Sequence, residues 1–240
     1  MSLIPERLAE IESKPLRKGD GKSIDTACIM NMVAYVAGEP WSDHPECACP
    51  VLTKMAISLN DRLDDEQRQK LAPLIPLLAG TKGTRDDQKA RSNFIVWRNI
   101  TVTFPILLDL IKMTEYADEL RLTPQTTTGF RAAEKTLREK CGEIRVAARS
   151  TAYAAADADA AAAAAAYAAY AAYAADAAAA YDAADAAVAA AVAAANAAAV
   201  AAANAAAYVA AGSRGKNSIN DSAIETLRLA CSIKHTEEHK

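Results

Sequence analysis

The sequence predicts an all-α protein: an N-terminal bundle of short helices, then a long alanine-rich helix or helical hairpin, then a C-terminal helix. Three observations carry that expectation. Alanine makes up most of Ala152–Ala211, and no Gly or Pro interrupts the run before Gly212. Alanine loses no side-chain entropy on entering a helix, so it is the strongest helix former; unbroken, such a segment would reach about 90 Å. Elsewhere, apolar residues recur at steps of three and four, and nothing alternates strand with helix. These patterns divide the chain into a helical domain over 1–123, the alanine-rich rod over 124–212, and a linker with an amphipathic helix over 213–240.

Taken in order, Pro5 suits a first helical turn, and Leu8 and Ile11 share a face of the helix that runs to about Glu12. The polar KPLRKGDGK beyond it predicts a linker. Asp25 is placed to cap a helix carrying Cys28, Ile29, Met32, Val33 and Val36, which Gly38 ends. After the loop GEPWSDHPECACP, Pro50 restarts a helix with Val51, Leu52, Met55, Leu59 and Leu63 at core spacing. Asp64 or Asp65 caps the next segment, which Pro73 and Pro76 must kink or divide. Thr84, followed by acids, predicts another N-terminus, for a helix with Phe94, Ile95 and Trp97. The run ITVTF is β-branched, but it lacks a partner strand. Pro105 is expected to open the apolar PILLDLIKM as the central core element, and Thr114 to cap a short helix after it.

TPQTTTG marks a boundary, beyond which a charged helix leads into the rod. Past Gly212, SRGKNSIND reads as a flexible linker. Asp221 or Ser222 then caps a final helix with Ile224, Leu227, Leu229 and Ile233.

Between Arg149 and Arg214 the rod carries five acids, Asp157, Asp159, Asp176, Asp182 and Asp185, and no Lys or Arg. So much methyl surface with so little charge requires a protein neighbour, supplied by the folded-back rod, by the N-terminal domain, or by other copies. Asp159, Tyr170, Tyr181 and Val192 lie eleven residues apart, a period favouring a straight or slightly right-handed stripe. Tyr167, Tyr170, Tyr173, Tyr181, Val192 and Tyr208 are the candidate interaction stripe, with a homo-oligomer or another helical protein as partner. An ice-binding helix is an alternative, since type I antifreeze proteins also combine alanine with eleven-residue repeats. They present threonine on the repeat, however, and here only Thr151 stands at the edge. The uncharged Ala186–Ala211 is long enough to span a bilayer, but alanine is nearly neutral in transfer and Asn196 and Asn204 oppose insertion, so no membrane is expected.

A net charge of −3 and dispersed Lys and Arg argue against nucleic acid. Five scattered cysteines and no signal-peptide-like start fit free thiols in the cytoplasm. His44, Cys47, Cys49 and Cys28 could be considered for zinc, but their spacing matches no tetrahedral motif. Activation of Cys47 or Cys49 by His44 is disfavoured because the adjacent Asp43 is poorly placed to orient the ring. No catalytic residue, metal or cofactor is therefore expected. A small-ligand pocket built from Trp41, Asp43, His44 and Trp97 is the alternative function.

The stretch Cys28–Thr84, with VAYVAGEPWSDHP and LIPLLAGT, resembles hypothetical proteins of actinobacteria and their phages that end in an alanine-rich helical tail. The resemblance implies a bacterial or phage cytoplasmic setting and no catalytic residue. The tail here carries Tyr, Asp and Asn where the family is expected to use Arg and Trp.

Overall fold

A computed structural model describes residues 3–19, 21–110, 113–126 and 212–233. The alanine-rich segment, with Tyr167, Tyr170, Tyr173, Tyr181, Val192 and Tyr208, lies outside the described residues, as do Cys141, His235 and His239. Among the described residues the regular structure is helical, with no strand. The chain splits into two compact units, Met1–Ser92 with Ile224–Lys240, and Asn93–Ala223.

The first unit is built around α2 (Ile29–Ala37), whose Ile29, Met30, Met32, Val33, Ala34 and Val36 are all fully buried. Both faces of α2 are therefore apolar, as a helix enclosed by neighbours requires. Those neighbours are α1 (Pro5–Ile11), α3 (Pro50–Arg62) and α5 (Ile75–Leu78). The Pro105 segment, expected as the central core element, lies in the second unit; the first unit is centred on α2. Gly38 ends α2 at φ 76°, and its N–H reaches the Tyr35 carbonyl at 3.1 Å. Only glycine adopts that left-handed turn without steric cost. A side chain here would also meet Ile4 Cδ1 at 3.0 Å.

Asp25 does not cap α2. It sits in a 3-10 turn, Ile24–Thr26, and pairs with Lys14 at 2.7 Å. The cap belongs to Cys28, whose N–H is taken by Asn31 Oδ1 at 3.1 Å. Asp64 does cap α4 (Asp65–Gln69), accepting from the Gln67 N–H at 2.9 Å. Pro73 and Pro76 divide the chain beyond α4 into a 3-10 turn, Ala72–Leu74, and α5. Thr84 and Asp87 form a reciprocal cap at the start of α6 (Arg85–Arg98), at 3.1 and 2.8 Å.

The expected polar linker is an ordered strap. Leu16 is 1% exposed, and the strap's main chain is bound mostly by side chains from the helices beneath it. Gln69 takes the Leu16 N–H at 2.8 Å and donates to the Leu16 carbonyl at 3.2 Å. Asn60 donates to the Arg17 carbonyl at 2.8 Å, while Asp61 and Asn31 accept from Gly19 and Gly21 at 2.9 and 3.2 Å. Buried backbone groups must find partners, and here amides and a carboxylate supply what a neighbouring strand would.

The described part of the second unit holds the end of α6, α7 (Phe104–Leu110) and α8 (Thr114–Arg121). A helix does begin where Pro105 is expected to open one, α7 starting one residue earlier at Phe104, but the chain enters it without a break. Between α6 and α7 the chain forms a π turn, Asn99–Thr103, in which the Phe104 N–H reaches back to the Asn99 carbonyl. A proline inside a helix crowds the carbonyl four residues earlier and offers no donor; the wider turn relieves both problems. The ITVTF run is thus helical throughout. Arg121 of α8 pairs with Asp109 of α7, and also with Asp118 at 2.6 Å.

The segment expected to be a linker after Gly212 is helical too, as the first half of α9 (Gly212–Cys231). Residues through Ala223 belong to the second unit and those from Ile224 to the first. Ile219, Asn220, Ala223, Thr226, Leu227 and Ala230 are buried. Their three- and four-residue steps make one continuous stripe across both halves of the helix.

Candidate functional site

The loop from Gly38 to Pro50 contains three of the four candidate pocket residues. Its second half is anchored inward: Pro45, Cys47, Ala48 and Cys49 are buried. The Glu39 carboxylate accepts from the Glu46 N–H at 2.7 Å and from the Cys47 thiol. The Cys47 carbonyl accepts from the Lys82 N–H at 2.8 Å, and the Cys49 N–H donates to Thr81 Oγ1 at 3.0 Å. These ties fix the loop's base and leave its tip, Trp41–His44, toward solvent.

At the tip, Trp41 is 37% exposed. Its indole N–H donates to the Gly21 carbonyl of the strap at 2.6 Å, and its ring meets Tyr35 edge-on, centroids 6.2 Å apart. Arg7 of α1 lies over the Tyr35 ring, 4.6 Å from its centroid, and donates to the Tyr35 carbonyl at 2.8 Å. The Tyr35 hydroxyl donates to Glu10 at 2.6 Å, and that bond, reinforced by burial, pushes the phenol's pKa above its ordinary value. A ladder of Arg7, Tyr35 and Trp41 therefore joins α1, α2, the strap and the loop through cation–π and aromatic contacts.

Asp43 orients His44 after all. Its carboxylate lies 2.7 Å from His44 Nδ1, and Ser42 Oγ accepts the His44 backbone N–H at 3.0 Å. The tight Ser42 turn folds the two neighbouring side chains together, which adjacency alone did not suggest. The ring itself is exposed, and Nδ1 is the nitrogen that the carboxylate engages. The Ser42 hydroxyl is engaged by the His44 backbone N–H rather than by the ring, so the three residues do not make the arrangement of a nucleophilic triad.

Trp97 belongs to the second unit, where its indole donates to the Thr123 carbonyl at 2.9 Å and its ring packs 6.0 Å from Phe94. Cys28, Cys47 and Cys231 are poor nucleophiles. Burial pushes Cys28 and Cys47 upward, and the carboxylate of Glu39 adds to the effect on Cys47. Burial raises Cys231 to about 12. All three are protonated at neutral pH, whereas attack and metal ligation need the thiolate. Among the described residues no group of three or more His, Cys, Asp or Glu is arranged to hold a metal ion. Nor is any described helix long and apolar enough to cross a membrane.

Several organising residues escaped the sequence reading. Arg7 and Glu10 lie one turn apart on α1, a spacing that could have drawn attention to them as a pair. Asn31 and Asn60 fall at core positions of apolar helices, where an amide calls for a buried partner. Arg91, 2% exposed, donates to the Thr81 carbonyl at 2.5 Å and to the Ile233 carbonyl at 3.0 Å; nothing in the local pattern identifies those distant acceptors. No family model, curated protein or solved structure matches the chain.

Proposed function

We propose that this is a non-enzymatic, interaction-mediating helical protein that associates with itself through its alanine-rich segment. The observation that carries the reading is the composition of Ala152–Ala211: a helix-forming run with no basic residue, with Tyr170, Tyr181 and Val192 at eleven-residue steps. A methyl-rich helical surface gains by exclusion from water, and small side chains let helices approach toward the short end of the roughly 8–10 Å packing range. Support also comes from the first unit, where burial raises the pKa of Cys28, Cys47 and Cys231 and where buried amides and guanidinium groups bind the chain's own main chain. Nucleic acid is not the proposed partner, and the proposed location is the cytoplasm. A phage or mobile-element setting rests on the VAYVAGEPWSDHP resemblance alone.

Sedimentation of the full chain over a range of concentrations tests this. The wild type should be oligomeric, and combined Tyr170→Lys, Tyr181→Lys and Val192→Lys should reduce it to a monomer with unchanged stability of the remaining helices. A wild type that stays monomeric at every concentration overturns the reading.

One observation favours a second reading, a small-ligand site at the loop tip: the Asp43 carboxylate fixes an exposed His44 ring in the same short loop that carries the exposed Trp41. Thermal shift of the full chain against a panel of nucleotides and divalent metals, repeated with His44→Ala, tests it. A stabilisation lost in the variant supports the site, and a flat response removes it.

A further inference from the structure

We draw no further inference here: the strongest candidate, the half-buried Arg7–Tyr35–Trp41 patch beside the acidic loop at Glu39–Glu46, borders the loop-tip site already described, and nothing in the structure shows what covers it.

Discussion

Arg68 is 4% exposed, yet its guanidinium serves main chain as much as charge. It donates to the Asn60 carbonyl at 2.7 Å and to the Leu63 carbonyl at 2.5 Å, and it pairs with Asp65. The two carbonyls belong to the C-terminal end of α3, where helix acceptors lack partners and the dipole favours a cation. Arg68→Met keeps the apolar stem and strands those acceptors, so it should lower unfolding stability by about 3 kcal/mol, read from urea titration. Gly38→Ala should cost about 1–2 kcal/mol in the same measurement, through its left-handed φ and its approach to Ile4. Cys231 makes a pH prediction. Its thiol moves from an ordinary value of 9.0 to about 12 in the fold, so the folded state holds the proton more tightly than the unfolded chain. Stability from this group is fully present below pH 9 and is lost as pH rises toward 12; Cys231→Ala should flatten that alkaline decline. The Gly38 stop could be read from sequence because glycine signals its own conformation. The role of Arg68 could not, since its acceptors are carbonyls without a sequence signature.

At the scale of elements, α9 is the instructive case. Gly212, Ser213, Gly215, Asn217 and Ser218 are poor helix formers, and local propensity favours a linker. Burial of Ile219, Asn220 and Ala223 on the same stripe as Leu227 outweighs those preferences, because amphipathic packing stabilises helices more than propensity does. The stripe was legible: Ile219 stands four residues before Ala223 and eight before Leu227. Gly215→Ala should therefore stabilise the protein by about 1 kcal/mol and raise its helical circular dichroism; in a flexible linker it would leave the helical signal unchanged. The proline-rich region behaved as its residue types require, with Pro73 and Pro76 dividing the chain. The π turn before Pro105 was not legible in detail. A proline after β-branched residues signals a break, but whether the helix stops or widens depends on what packs around it.

For the whole molecule, the proposed association is a balance between methyl burial and acidic repulsion. Copies packed through the rod would bring Asp157, Asp159, Asp176, Asp182 and Asp185 near their counterparts with no basic residue between Arg149 and Arg214 to offset them. Added salt screens like charges, so self-association should tighten between low and physiological ionic strength, measured by sedimentation. Weakening with salt would point instead to oppositely charged surfaces elsewhere on the chain. The all-helical class was legible because three- and four-residue apolar steps survive any arrangement of the helices. The loop-tip grouping was only half legible: Trp41, Asp43 and His44 are neighbours in sequence, whereas Trp97 belongs to the second unit with its own partners.

The strap over α3 carries one more consequence. The amide hydrogens of Leu16, Arg17, Gly19 and Gly21 belong to no helix, yet each has an acceptor within the fold: Gln69, the Ala27 carbonyl, Asp61 and Asn31. They should trade for deuterium as slowly as the helix edges that hold them, in a stretch whose composition suggests instant exchange. The outward-facing Arg17 and Lys18 take no part in that grip through their side chains, so the path of the strap tolerates almost any residue there while depending closely on distant amides.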